Sequence, residues 1–404
     1  MTLSCDTSRI YWDNAATTPL CEEAACAMQP YMKSNAHAFF GNANSLHAIG
    51  REAFFALEDA RTKTSSALGA HRPDEVVFTS GATEADNAAL IGIALGAWEA
   101  TRQQGRKNSA SRVIMSRIEH DAVLGSAKLL RVLGFEVSFV ENDSNGFITP
   151  DALERAMGDS GDVALVSIMA ANNEVGVIEP VSQLAQCAHE HGALFHTDAV
   201  QALGKIPVNV ASWNIDAASF SAHKVGGPKG VGVLFLKSKT PFMPLIAGGG
   251  QERGLRSGTQ NIAGIVGLAA AFDRTVQHQQ AFASTTQAVR DFLYEHLTAY
   301  PKVTPSVEIK AHSGNFLPHI VNVCVRGCES QTLIMQLDRQ GFCVSGGSAC
   351  SSHSLEPSHV LTALGISRNL AEGSLRISLG EDASLEQAEA FMKVFREVLA
   401  QWSL

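Results

Sequence analysis

The sequence predicts an α/β fold, a mostly parallel doubly wound sheet in a large unit followed by a smaller α+β unit. Three observations carry that prediction. Short apolar runs alternate with segments of helical period between about residues 75 and 200. The stretch Val163-Ala164-Leu165-Val166-Ser167-Ile168-Met169 is almost continuously apolar, as in a strand covered on both faces. Chemically loaded residues recur just after the apolar runs, where open α/β sheets bind ligands.

The elements follow in order. Ile10-Tyr11-Trp12 reads as a short strand entering the turn Asp13-Asn14-Ala15-Ala16-Thr17-Thr18-Pro19, and a helix covers about 22–31. A polar loop precedes a long helix over 48–68, with Gly69 as its stop. A strand over 75–79 turns through Ser80-Gly81-Ala82-Thr83-Glu84 into a helix ending near 97. Then come strand 113–115, helix 121–133, strand 137–140, helix 150–157, strand 163–169, helix 181–191 and strand 193–197. A helical region over about 262–300 bridges to the smaller unit, with strands near 320–325 and 375–379 and a closing helix over 386–402. No internal repeat is visible.

Composition narrows the class. With 404 residues, 45% of them hydrophobic, the chain can bury a large core. A net charge of −9 argues against direct binding of nucleic acid or an anionic membrane. No apolar run reaches the roughly 18 residues of a membrane span, and the first residues lack the pattern of a signal peptide. The eight cysteines show no CxxC pair and no disulfide-framework spacing. These features lead to the expectation of a cytoplasmic protein.

The chain is organised around Ser219-Phe220-Ser221-Ala222-His223-Lys224-Val225-Gly226-Gly227-Pro228-Lys229-Gly230, a polar block between two apolar runs of strand length. A lysine in such a turn can be held against a carbonyl compound and form a Schiff base; a surface lysine in a glycine turn is the competing reading. Asp198 stands at an earlier strand end. A carboxylate there and a lysine at a later strand end suit pyridoxal phosphate, the acid holding the pyridine nitrogen protonated and the lysine the aldehyde, although Asp198 alone also reads as a helix N-cap. The turn at Ser80–Glu84 offers backbone N–H groups for a phosphate and equally resembles a capping box. Ser221 and His223 can add phosphate contacts. His120 follows a strand and can stack on a planar cofactor and carry protons. Asn173 follows the buried run at 163–169. Cys350 sits among glycines and serines, a setting for an exposed thiol, whereas Cys343, between Phe342 and Val344, reads as a core thiol.

Together these residues resemble a cysteine desulfurase, the NifS/IscS-type branch of the class V aminotransferase superfamily. The likeness rests on the turn at 13–19, Phe78-Thr79-Ser80-Gly81-Ala82-Thr83-Glu84, Asn172-Asn173-Glu174-Val175-Gly176 and His196-Thr197-Asp198-Ala199-Val200-Gln201. The lysine block, Glu252-Arg253-Gly254-Leu255-Arg256-Ser257-Gly258-Thr259 and Gly347-Ser348-Ala349-Cys350 complete it, in the family's order across nearly the whole chain.

The resemblance implies a homodimeric enzyme of fold type I that uses pyridoxal 5'-phosphate to convert L-cysteine to L-alanine, with the sulfur left on Cys350 as a persulfide. It implies a segment 1–20 packed on the small domain, a cofactor-binding domain over 21–272, and a small domain over 273–404 carrying the Cys350 loop. Lys224 would hold the cofactor and shuttle protons, Asp198 would pair with the ring nitrogen, Gln201 would bond the ring hydroxyl and His120 would stack on the ring. Ala82, Thr83, Ser221 and His223 would hold the phosphate, joined by Thr259 from the other subunit. Asn173 and Arg376 would bind the substrate carboxylate, the arginine as a fork. The long stretch from Cys350 to Arg376 resembles the group that hands sulfur directly to Fe–S scaffold or carrier proteins. No resident metal is expected, Cys350 being at most a transient ligand during sulfur or Fe–S transfer. The chain stops at Leu404 without the longer tail by which some members engage their scaffold, so scaffold docking is implied less firmly than desulfuration. A selenocysteine lyase or another class V enzyme is the alternative, and a non-catalytic sulfur carrier the third.

Overall fold

The computed structural model describes residues 9–34, 39–103, 111–159, 161–347 and 357–401. The strand β1 (Ile10–Tyr11) leads to α1 (Glu22–Met28), which tightens into one 3-10 turn at Gln29–Tyr31. The helix α2 (Ala48–Leu68) ends at Gly69, whose φ of 66° supplies the left-handed cap. Strands and helices then alternate: β2 (Val76–Thr79), α3 (Ala82–Gln103), β3 (Arg112–Ser116), α4 (Asp121–Val132) and β4 (Glu136–Val140). Next come α5 (Pro150–Met157), β5 (Val163–Ser167), α6 (Val181–Glu190), β6 (Leu194–Asp198), β7 (Ala217–Ser221) and β8 (Gly232–Leu236).

Seven of these strands form one sheet in the order β2-β8-β7-β6-β5-β3-β4. Only β8 runs against its neighbours; the other pairings are parallel. Every residue of β5 and β7 is buried, because helices cover both faces. Alternate side chains divide between them: Val166, Ala218 and Phe220 pack toward α2, α6 and α7, and Leu165 and Ala217 toward α3 and α4.

The helix α7 (Ile262–Thr298) runs unbroken into the second layer. There follow β9 (Val303–Pro305), β10 (Ile320–Val325), α8 (Ser330–Arg339), β11 (Phe342–Cys343), α9 (His359–Ala363), α10 (Arg368–Ala371), β12 (Ser374–Ser378) and α11 (Leu385–Ala400). A three-stranded antiparallel sheet, β12-β10-β9, packs on α7 and α11 through Leu293, Leu297, Phe391 and Phe395. Trp12 enters this same core, 5.5 Å from the Phe391 ring. The chain start is thus tied here, with β1 parallel to β11 and Asp13 bridged to Ser378.

The structure amends several expected boundaries. The helix expected to stop near residue 97 reaches Gln103, its last turns held by Glu99–Arg102 pairing at 3.0 Å. The run 163–169 leaves the sheet at Ser167, yet Ile168 and Ala170 still donate to carbonyls of His196 and Asp198. Cys343 is half-buried, its thiol 3.6 Å from Asp338 Oδ1, because on β11 Phe342 takes the core-facing side and Cys343 the opposite one. Among the described residues no helix is long and apolar enough to cross a membrane.

Candidate active site

A cavity of about 460 Å³ lies beyond the carboxyl ends of the parallel strands. The turns after β2, β3, β5, β6 and β7 each bring a residue expected from the sequence: Thr83, His120, Asn173, Asp198 and Lys224. Arg376 enters from β12 and completes the wall.

Lys224 closes a 3-10 turn after β7. The turn is tight enough that a Cβ on Gly227 would meet the Ala222 Cβ at 2.6 Å, and Gly226 has a φ of 80°. The Lys224 ammonium donates to the carbonyls of Ala15 and Ala16 at 2.7 and 2.8 Å. Gln201 Nε2 donates to Ala15 at 3.0 Å. The segment after β1 is therefore part of the site, a role the sequence alone did not disclose.

Behind Lys224 lies a group of buried ionisable side chains. Asp198 Oδ1 accepts from Val200 N–H at 2.9 Å. Burial holds its carboxyl above the usual range, against the opposite pull of His120 and Lys224. Asp86, also on the cavity wall, has both carboxyl oxygens buried without a hydrogen-bond partner among the described residues. Burial and the neighbouring Asp198 push its pKa well up. Glu119 accepts from Ser116 Oγ at 2.6 Å and Met169 N–H at 2.8 Å, yet burial pushes it up to about 8. His196, between Ser167 Oγ at 2.9 Å and Ser219 Oγ at 3.0 Å, is driven down to about 3 by burial and stays neutral. Carboxyl groups so arranged are short of positive charge. A protonated pyridine nitrogen against Asp198 supplies it, so these residues fit pyridoxal phosphate.

The other end of the cavity suits a phosphate. Thr83 and Ala82 form the first turn of the 22-residue α3, where unpaired N–H groups and the helix dipole favour an anion. Ser80 N–H donates to Glu84 Oε2 at 2.8 Å, one half of a capping box, while Thr83 lines the cavity. Glu84 is engaged by Arg256 through two bonds of 2.7 and 3.0 Å. Ser221 and His223 also line the cavity. Burial, with Lys224 and Lys229 nearby, lowers His223 to about 4, so it is neutral at working pH.

His120 caps α4, its Nδ1 accepting from Ala122 N–H at 3.1 Å. That bond leaves Nε2 to carry the proton of the neutral ring. Arg376 is 1% exposed. Its Nη1 donates to the Asn173 carbonyl at 2.9 Å and its Nη2 to Asp13 Oδ1 at 2.7 Å. Each terminal nitrogen keeps a second N–H, and Nε has no partner among the described residues. The arginine is thus aimed and charge-balanced with donors to spare. The only sequence signal for Asp13 was its place in the turn at 13–19.

Two expected residues stand apart. Thr259 is exposed and lies outside this cavity. Cys350 lies outside the described residues. The residues flanking its segment reach the site: Ser358 Oγ donates to Glu174 Oε2 at 2.6 Å, and His359 Nε2 lies 2.9 Å from the Glu119 carbonyl.

With fold and site defined, the chain belongs to the class-V aminotransferase family, whose model matches residues 10–391. Within that family it is similar to proteins named cysteine desulfurase IscS. The one from Dictyoglomus turgidum is 41% identical over 96% of this chain and 94% of its own. The one from Methanosarcina thermophila is 41% identical over 98% and 93%. A solved structure described as a NifS-like protein superposes with a TM-score of 0.85 at 37% identity, covering 97% of this chain and 99% of that one.

Proposed function

We propose that this chain is a pyridoxal-phosphate-dependent cysteine desulfurase that leaves the sulfur of L-cysteine on Cys350 and releases L-alanine. The observation that carries the reading is the single cavity joining an electron-rich ring site at Asp198, an anion site at the start of α3 and the Arg376 donors. When bound, pyridoxal phosphate draws electron density from the substrate Cα and so activates the Cβ–S bond. Arg376, aimed by Asp13, holds the substrate carboxylate. Lys224 moves the Cα proton, and His120 Nε2 handles the proton of the substrate thiol. The Cys350 thiolate forms a bond to the substrate sulfur as the Cβ–S bond breaks. The bonding electrons stay with the carbon, which gains a proton to become the methyl group of alanine, and Cys350 becomes a persulfide.

A homodimer completes the site in this reading. Phe40, Leu46, Phe54 and Phe55 form an exposed apolar stretch at 67, 91, 46 and 66%. It adjoins Thr259, because Asn44 Nδ2 donates to Gln260 Oε1 at 3.2 Å. Pairing this face would cover the apolar residues and carry Thr259 to the partner's phosphate. The persulfide would pass to an acceptor protein, an Fe–S scaffold or a sulfur carrier. Six cysteines in the described residues are free thiols, which suits the cytoplasm.

The test is product analysis. The purified protein loaded with pyridoxal phosphate should yield alanine from L-cysteine, with one sulfide per alanine when a thiol reductant is present. Pyruvate, or no amino-acid product, would reject desulfuration.

A further inference from the structure

A second cavity, of about 330 Å³, lies on the other side of the segment that holds Lys224. Its walls come from residues around Thr18–Cys21, from Val225 and Gly226, from the middle of α7 and from the loop after β12. It shares no lining residue with the cofactor cavity.

Lys205 projects into this space. It is 8% exposed, and among the described residues its ammonium has no hydrogen-bond acceptor and no carboxylate within ion-pair distance. Its one close partner is the face of Phe282, 4.2 Å away. The nearest acid to act on it, Glu381, is engaged by Arg274 through two bonds of 3.0 Å. On Phe282 also packs His319, fully buried, with neither ring nitrogen partnered among the described residues. Burial, with Lys205, Arg376 and Arg290 nearby, keeps that ring from taking up a proton, so it stays neutral. Burial lowers Lys205 to about 8, which still leaves it charged at neutral pH. The ammonium faces the cavity and is not sealed from water, so an anion entering the cavity can pair with it.

The required ligand has a definable chemistry. One unmatched positive charge calls for one negative charge, and Glu381 and Asp382 on the same wall disfavour a dianion. Leu20, Val225, Phe282 and Leu379 give the cavity an apolar portion, beside polar groups such as Thr275 and His278. We propose that this cavity binds a small monocarboxylate, its carboxylate on Lys205 and its short apolar body against Phe282 and Leu379. The segment carrying the Ala15 and Ala16 carbonyls separates this ligand from Lys224.

Calorimetric titration of the holoenzyme with propionate tests the proposal. Saturable binding is expected, weakened at least about tenfold by Lys205→Met, which keeps the side-chain volume and removes the charge. Leu20→Trp, at the partly exposed mouth, should weaken it likewise and stands in if the first variant does not fold. Arg376→Met should retain it, which separates this site from the substrate site. Inorganic phosphate should neither bind at the same concentration nor compete. Absence of propionate binding, unchanged binding in both the Lys205 and Leu20 variants, loss in Arg376→Met, or equal competition by phosphate would each overturn the proposal.

Discussion

On the large-sheet side of the cleft, Asp198, Asp86 and Glu119 are packed within one buried cluster, where burial raises all three carboxyl groups. On the β12 side stands a single buried cation, Arg376, balanced by Asp13 at 2.7 Å. On the first side the carboxyl groups outnumber the nearby cation Lys224, and the second has donors to spare. A ligand spanning the cleft is therefore matched when it is cationic where it meets Asp198 and anionic where it meets Arg376. An amino acid joined to a protonated pyridine ring satisfies both ends. On the proposed reading, cofactor and substrate would be held by separate layers of the fold, so each could be damaged without the other.

The largest expected effect lies on the first side. Lys224→Ala should remove the covalent link to the cofactor and lower alanine formation by about three orders of magnitude or more. The fold should persist, because the known bonds lost are those to Ala15 and Ala16. Near-normal turnover, or retention of the visible absorbance of lysine-bound cofactor, would break the assignment.

The next effect concerns stability. Glu119 sits at about 8 in the folded protein, whereas an unfolded glutamate titrates near 4.3. Between those values the folded state keeps a proton that the unfolded chain releases, so stability contributed by this group is full below about pH 4 and is lost as pH rises toward 8. Glu119→Gln keeps the acceptor for Ser116 and Met169 and cannot ionise. In cofactor-free protein, denaturant titrations at pH 5 and 8 should show a loss smaller by about 4 kcal/mol than in wild type. Asp86, Asp198 and Glu179, also raised by burial, leave a residual slope. An unchanged difference between the two pH values would show that Glu119 is already ionised.

The smallest effect belongs to the second side. Asp13→Asn should raise the KM for cysteine about tenfold, the weight of one charge-assisted bond of ~1.4 kcal/mol, with cofactor absorbance unchanged. A spectral change, or an effect confined to kcat, would blur the division between the two sides.

The parallel sheet and the strand-end residues were legible in the sequence because composition changes sharply there. Apolar runs such as 163–167 give way to polar residues that a buried strand would not carry. Asp86, Glu119 and Asp13 were not legible, because their importance comes from tertiary neighbours. Asp86 looks like any polar residue of α3 until Asp198 and His196 are placed beside it, the latter at 3.7 Å. The smaller layer was harder to read. β9 has three residues and β11 two, while α8 buries only Leu333 and Leu337, too short a pattern to fix a period. Thr259 was placed by the family likeness, and on the proposed reading a dimer would bring it to use.

The most direct test of the account follows the sulfur. Holoenzyme is given one equivalent of sulfur-labelled L-cysteine, and label on the protein is compared with alanine released. Wild type should acquire one label per alanine, discharged by a thiol reductant. Cys350→Ser should bind the cofactor normally and carry no label, since a serine hydroxyl is far less nucleophilic than a thiolate near neutral pH. Label on Cys350→Ser at wild-type stoichiometry would contradict the account and direct attention to Cys343 and Cys328.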